Sequence, residues 1–116
     1  MPRTARRLVA HVARGGIVAI LTDQHRRKAP VLDFIGHPAP TALLPADLAV
    51  KFKVPLVPIY GIRQPDRLHV QVVVEPPIAP ASAEAMMQAV NDSLAARVRA
   101  HPGQYYWLHR RWVKTF

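Results

Sequence analysis

Five consecutive apolar residues, 17–21, constrain the fold of this chain more than any other stretch. They follow the pair Gly15-Gly16 and lead through Thr22 to Asp23. Because a run without polar alternation is typical of a strand covered on both faces, it predicts a buried strand of an α/β sheet. Ligands of such sheets bind beyond the carboxyl ends of the strands, so we expect Asp23 to face a ligand. A cap of the next turn, or an ion pair with Arg26, explains Asp23 equally well.

The composition favours a single domain with an anionic partner. A chain of 116 residues that is 50% hydrophobic can form one modest core, and no linker divides it. Sixteen Lys and Arg against seven Asp and Glu give a formal charge of +9, which favours nucleic acid, an acidic carrier protein or an anionic membrane surface. The absence of cysteine excludes disulfides, thiolate metal sites and cysteine nucleophiles. No apolar run approaches the ~18 residues that a membrane span requires.

The spacing of apolar residues predicts three helices. The first spans residues 4–14, the second extends from an N-cap at Thr41 to about residue 53, and the third covers residues 82–100. The apolar face of the third helix has a four-residue spacing that is typical of core packing, and it consists of Met86, Val90, Leu94 and Val98.

Two further stretches predict strands. Residues 56–62 and 68–74 are expected to pair as an antiparallel hairpin, with Pro58 at an edge, a strand end or a bulge because it has no N–H to donate. Residues 22–40 are predicted to form an irregular loop, part of which packs on the body because it contains several apolar residues. Together these elements predict an α/β fold with a mixed sheet flanked by helices.

Common catalytic and metal-binding motifs are absent from the sequence. The six histidines form no His-x-x-x-His pair, and there is neither a glycine-rich phosphate loop nor a Gly-x-Ser-x-Gly elbow. The C-terminal stretch instead places Arg110 and Arg111 among Tyr106, Trp107 and Trp112. Such a cluster can bind phosphate, carboxylate or RNA, or its aromatic residues can anchor the tail while the arginines face solvent.

Four stretches in order, 16–24, 34–41, 54–60 and 101–112, resemble the bacterial lipid A biosynthesis (lauroyl/myristoyl) acyltransferase family. This family belongs to the wider lysophospholipid acyltransferases. The resemblance implies an enzyme at the cytoplasmic face of the bacterial inner membrane. Such an enzyme transfers a fatty acyl chain from acyl carrier protein or acyl-CoA to a hydroxyl of a glycolipid and uses no cofactor.

The sequence departs from the family in one respect. Members use a histidine followed, after four residues, by Asp or Glu as the catalytic base and its orienting acid, and none of the six histidines here has that partner. Because the motif normally precedes the stretches seen here, the resemblance implies a single partial domain, residues 1–116, that corresponds to the C-terminal half of the enzyme. Without the general base, which contributes ~10²–10⁴-fold, we expect this chain alone to be inactive.

The resemblance also implies roles for individual residues. Asp23 matches the acidic residue of the family's strand end, with Gln24 beside it, and is expected to position the acceptor or support the catalytic histidine. Pro58 matches a Val-Pro block that shapes a strand edge near the site.

Two further motifs carry implied site residues. Phe34, Gly36 and Thr41 match a loop that shapes the acyl or acceptor cleft, although Thr41 is also interpreted as a cap. Arg110 and Arg111 match the tail motif and are expected to contact phosphate or to anchor the fold.

Two other hypotheses remain open from the sequence. The chain is equally compatible in charge with a non-enzymatic basic domain that binds anionic lipid or RNA, which a steep salt dependence without glycolipid preference would favour. A truncated gene product without function would expose apolar surface and aggregate.

Overall fold

The computed structural model describes residues 3–24 and 27–113, which form three helices and two small antiparallel sheets. The elements in chain order are α1 (Arg3–Ala13), β1 (Val31–Phe34), β2 (His37–Pro40), α2 (Leu44–Phe52), β3 (Ile59–Arg63), β4 (Val70–Val74) and α3 (Ala83–Ala100). A single 3-10 turn, Pro102–Gln104, follows α3. The predicted α/β class is confirmed, and two small sheets beside helices are compatible with a mixed sheet flanked by helices.

Helix α3 is the element around which the core is built. It begins at Ser82, whose side chain accepts a hydrogen bond from the Ala85 amide, and the predicted helix over 82–100 is confirmed. Its buried residues pack in two clusters, one with α2 and one with the β1–β2 hairpin. The first cluster contains Met86, Met87 and Val90 with Ala46 and Ala49, and the second contains Ala95 and Val98 with Phe34 and Ala39.

The two hairpins differ in how well the sequence predicts them. The predicted hairpin of 56–62 with 68–74 forms as β3 and β4, which pair from Ile59 with Val74 to Arg63 with Val70. Pro58 lies just before β3, where its carbonyl accepts the Glu75 amide, so the expectation of a strand end is correct. The β1–β2 hairpin lies inside the predicted irregular loop 22–40 and was not anticipated, although the expected packing of that loop on the body is confirmed.

The predicted buried strand over residues 17–21 is wrong. These residues have no regular secondary structure, and Ile17 and Leu21 are 92% and 76% exposed. A strand needs a neighbouring ladder as well as apolar side chains, and the four strands of the described chain are all paired within their own hairpins. The run is therefore apolar surface. Arg26, the alternative partner of Asp23, lies outside the described residues.

The predicted cap of α2 at Thr41 is also wrong. The helix begins at Leu44 after an N-cap at Leu43 that makes no side-chain hydrogen bond, and Pro45 occupies its first turn. The Thr41 hydroxyl donates instead to the Ala39 carbonyl at 3.0 Å, because it is buried in a polar cluster described below.

Removal of the Met87 side chain is expected to destabilise the fold. Met87 is fully buried between α2 and α3, so Met87→Ala should lower the free energy of unfolding by about 2–4 kcal/mol in urea denaturation. The matched control is Leu68→Ala, in which the replaced side chain is 85% exposed and the loss should stay below about 0.5 kcal/mol. Equal losses in the two variants would contradict the assignment of this core.

Candidate functional site

A buried arginine joins the C-terminal segment to the rest of the molecule. Arg111 is fully buried, and its guanidinium donates to the Pro40 carbonyl through Nη1 and to Thr41 Oγ1, at 3.0 Å, through Nη2. The Val113 amide donates to the Pro38 carbonyl at 3.0 Å nearby. These bonds hold residues 111–113 against the end of β2 and the segment that enters α2.

Helix α3 contributes the third polar side chain of this cluster. Asn91 Nδ2 donates to Thr41 Oγ1 at 3.1 Å and to the Asp33 carbonyl at 3.2 Å. The Thr41 hydroxyl oxygen thus accepts hydrogen bonds from Asn91 and Arg111, while its own O–H donates to the Ala39 carbonyl. We call Thr41, Asn91 and Arg111 the polar cluster; it joins three segments that are far apart in sequence.

Aromatic side chains cover the polar cluster. The ring of Phe34 is buried and stacks on Trp112 with centroids 5.5 Å apart, while Tyr105 meets it edge-on at 6.0 Å. The Arg111 guanidinium lies 5.5 Å from the centroid of Phe34, and Trp112 Nε1 donates to the Phe34 carbonyl at 2.8 Å. The predicted anchoring of the tail by aromatic residues is therefore correct for Trp112, whereas only one of the two arginines, Arg110, faces solvent.

The electrostatics of the cluster bring Asp23 into the site. Burial lowers the pKa of Arg111, and the neighbouring Tyr105 phenol and Asp23 carboxylate partly oppose that shift. Burial likewise raises the pKa of Tyr105, with a further rise from the charge of Asp23 and an opposing effect of Arg111. Asp23 is itself half-buried. A carboxylate, a phenol and a guanidinium thus act on one another here, even though the strand expected to deliver Asp23 does not form.

Two buried polar atoms of the site have no hydrogen-bond partner within the described chain, Tyr105 Oη and Arg111 Nε. The guanidinium N–H can only donate, and the phenol can donate or accept. Because a guanidinium keeps its proton, Arg111 can orient or stabilise an oxygen that carries negative charge but cannot act as a base. Asp23 supplies the carboxylate of this site, whose oxygens can accept hydrogen bonds.

A groove lies between α1 and residues 17–19, with a volume of about 790 Å³. Its apolar wall includes Leu8, Ile17 and Val18, and its basic wall includes Arg7, His11 and Arg14. We call it the α1 groove. Asp23 lies six positions after Ile17, so at most ~22 Å of chain separates the groove from the acidic residue. Apolar and cationic side chains in one groove suit a molecule with a hydrocarbon chain and an anionic group.

The structure brings together four of the seven predicted site residues. Phe34 and Thr41 contact Arg111, and Asp23 acts on it electrostatically. The remaining three, Gln24, Gly36 and Arg110, are exposed and make none of these contacts. Gly36 has φ +78° in the β1–β2 turn, a left-handed backbone conformation that glycine adopts without steric cost. The roles of all seven in substrate binding stay predictions.

Sequence reasoning missed Asn91 and Tyr105. Asn91 lies four residues after Met87 and four before Ala95 on the buried face of α3. A polar residue at this spacing on an apolar helix face indicates a buried hydrogen-bonding group, and the sequence contained that signal. Tyr105 follows a helix break and carries no periodic signal that distinguishes it from Tyr106.

One histidine of the described chain is oriented by a carboxylate, although not with the family's spacing. His69 Nδ1 lies 2.5 Å from Asp66 Oδ2 in the turn between β3 and β4. Hydrogen bonds from the His69 ring and from the amides of Leu68 and His69 hold the pKa of Asp66 below its usual value. Both side chains are exposed and neither lines the α1 groove. This pair is therefore not part of the site formed by Asp23 and Arg111.

Comparison with known proteins agrees with the resemblance read from the sequence. A family model described as bacterial lipid A biosynthesis acyltransferase matches residues 1–114. That range includes all four stretches that carry the resemblance, as well as α1 and the polar cluster. No curated protein matches the chain.

Loss of the Arg111 guanidinium is expected to destabilise the fold. Arg111→Met leaves the Pro40 carbonyl without its donor, so the free energy of unfolding should fall by about 1–3 kcal/mol. Arg111→Lys should recover only part of this, because an ammonium cannot reproduce the fork of two N–H donors. Arg110→Met, at the exposed neighbouring position, is the matched control and should change the value by less than about 0.5 kcal/mol. A loss at Arg110 as large as that at Arg111 would overturn this assignment.

The two half-buried tyrosines, Tyr60 and Tyr105, should respond differently to removal of the hydroxyl. Tyr60 Oη lies 2.8 Å from Ser93 Oγ, so Tyr60→Phe should cost about 1 kcal/mol of unfolding free energy at pH 7. Tyr105 Oη has no partner within the described chain, so Tyr105→Phe should be neutral or stabilising.

The pH dependence of stability gives a second readout on these phenols. Burial raises the folded-state pKa of Tyr60 and Tyr105 above the ordinary value of 10.0. The free energy of unfolding that these neutral phenols contribute is therefore fully present below pH 10.0 and is lost as the pH rises through the folded-state pKa. Each Phe variant should flatten the alkaline decline measured in urea at successive pH values, and an unchanged decline in both would contradict the burial of these phenols.

Proposed function

Because the chain belongs to the bacterial lipid A biosynthesis acyltransferase family, we propose that it takes part in transferring a fatty acyl chain to a hydroxyl of a glycolipid. The donor in this proposal is acyl carrier protein or acyl-CoA. The observation that carries the proposal is the family match over residues 1–114, which covers nearly the whole chain.

The lining of the α1 groove supports the proposal of a lipid ligand. Its apolar wall suits a hydrocarbon chain, and Arg7, His11 and Arg14 suit the anionic groups of a glycolipid. Ile17 is almost fully exposed in this groove, so covering it would remove apolar surface from water. We assign the lipid part of a substrate to the α1 groove.

Asp23 is the candidate for positioning the acceptor hydroxyl or a catalytic histidine. It is half-buried beside Arg111 and Tyr105, and a short segment joins it to the α1 groove. A carboxylate there can accept a hydrogen bond from a hydroxyl or from an imidazole N–H. In this proposal the exposed Arg110 and Gln24 contact the substrate, while the buried Arg111 holds the cluster together.

The proposed role does not include the catalytic base. No histidine in the sequence is followed after four residues by Asp or Glu, and the oriented His69 lies in a solvent-exposed turn. We propose that the base is supplied from outside these 116 residues and that this chain alone does not catalyse transfer.

We also propose that the chain acts at an anionic membrane surface, on the cytoplasmic face of the inner membrane. The formal charge of +9 supports attraction to anionic lipid, and Ile17 and Leu21 supply apolar contacts. Within the described residues, no helix has the length and apolar character of a membrane span.

Glycolipid binding through the α1 groove is expected to depend on Ile17. Micelles or vesicles of a lipid A-type acceptor should bind Ile17→Asp at least about tenfold more weakly than the unchanged chain, because a carboxylate replaces the exposed apolar surface that bound lipid would cover and repels anionic lipid. The matched control is Val72→Asp, an equally charged change at an exposed position of β4 that should alter the affinity by less than about twofold. Fluorescence anisotropy of a labelled acceptor measures both.

Three outcomes would contradict the proposal. Equal weakening by Val72→Asp would mean that binding depends on net charge rather than on the groove. Tighter binding of single-stranded RNA, with a steep salt dependence and no glycolipid preference, would favour a non-enzymatic basic domain. Acyl transfer from labelled acyl carrier protein by this chain alone, abolished by Asp23→Ala, would disprove the proposed inactivity.

A further inference from the structure

A second cleft, of about 760 Å³, lies between the β3–β4 hairpin and the 3-10 turn that follows α3. Its lining includes two arginines, Arg63 at the end of β3 and Arg67 in the hairpin turn, and the imidazole of His101 at the end of α3. None of the described residues that line this cleft is acidic. We call it the hairpin cleft; it shares no lining residue with the α1 groove.

The walls of the hairpin cleft are fixed by hydrogen bonds. Gln104 Oε1 accepts the Arg63 amide at 2.9 Å, and Gln104 Nε2 donates to the Arg63 carbonyl at 3.1 Å. These two bonds continue the edge of β3 with a side-chain amide and join the 3-10 turn to the hairpin. On the opposite side, the Arg67 amide donates to the Gln64 carbonyl at 3.0 Å and closes the turn. These hydrogen bonds thus fix the backbone positions of Arg63 and Arg67.

The nearest acidic residues of the hairpin are already engaged. Asp66 accepts bonds from the Leu68 amide at 2.9 Å, the His69 amide at 3.1 Å and the His69 ring. Glu75, just beyond β4, pairs with Arg97 of α3. The Asp66 turn also holds Arg67 at φ +60°, a left-handed conformation that non-glycine residues rarely adopt. Neither Asp66 nor Glu75 therefore forms its ion pair with Arg63 or Arg67.

We propose that the hairpin cleft binds a phosphate group through Arg63 and Arg67, with His101 as an additional donor. Two guanidinium groups and an imidazole match a dianion with three terminal oxygens better than a carboxylate, which has two oxygens and one charge. A soluble phosphate monoester and the monoester headgroup of phosphatidic acid both present this chemistry. The inference is independent of acyl transfer, since it uses none of the residues of the α1 groove or the polar cluster.

The test is a titration of the full chain with inorganic phosphate and with glycerol phosphate, followed by amide chemical shifts in ¹⁵N NMR spectra. The amides of Arg67, His101 and Gln104 should shift and saturate. The double variant Arg63→Gln/Arg67→Gln should bind at least about tenfold more weakly, since it loses two charged donors. The matched control, Arg3→Gln/Arg6→Gln, removes the same charge from the exposed face of α1 and should alter affinity less than about threefold.

The source of the phosphate group is distinguished by a second titration with vesicles. Binding to phosphatidic acid vesicles but not to phosphatidylcholine vesicles, lost in the Arg63→Gln/Arg67→Gln variant, assigns the site to a lipid headgroup. Binding of glycerol phosphate without such vesicle binding assigns it to a soluble monoester. Shifts that do not saturate, or equal weakening in the α1 control, overturn the proposal. If the double variant has lost its folded spectrum, Arg67→Gln alone provides the comparison and should still weaken binding.

Discussion

A buried guanidinium, that of Arg111, has no direct carboxylate partner among residues 3–24 and 27–113, and it is the constraint on which much of this structure depends. Removing a charge from water is costly unless the protein supplies hydrogen-bond partners in return, and Arg111 donates to the Pro40 carbonyl and the Thr41 hydroxyl oxygen. Those acceptors have to be in place, which requires the β1–β2 hairpin and α2 to meet at residues 40–44. Asn91 then fixes α3 at the same point. The requirement to solvate one cation within the protein thus determines how three distant segments pack.

The helices could be predicted because their signals are local. Apolar residues at helical spacing, the Ser82 cap and the glycine pair after α1 all lie within a few residues of the structure that they specify. Strands depend on partners elsewhere in the chain. The run at 17–21 is apolar enough for a buried strand, but no strand of the described chain pairs with it. Strands β1 and β2 have only four residues each, and β2 contains two prolines, so their sequences do not have the pattern typical of strands.

The candidate site could be predicted in part. The resemblance identified Asp23, Phe34, Thr41 and Arg111, which converge, yet it could not separate Arg111 from its neighbour Arg110. Adjacent residues in a segment without regular structure have no periodicity that tells which one points inward. Thr41 shows a related limit, because a hydroxyl before a helix is a cap by local rules and became a buried acceptor through contacts with residues 50 and 70 positions away.

Those sequence separations bear on the order in which the molecule folds. Closing a long loop costs conformational entropy before any contact forms, and this cost slows folds whose contacts are distant in sequence. Helix α3 and the two hairpins form through contacts between residues that are near one another in sequence. The hydrogen bond between Arg111 and Thr41, in contrast, joins residues that are 70 positions apart. We therefore expect the polar cluster to form after these local elements. During synthesis, the part of the molecule that gathers Asp23, Thr41 and Arg111 cannot form until Arg111 has left the ribosome, even though the other two residues emerge much earlier.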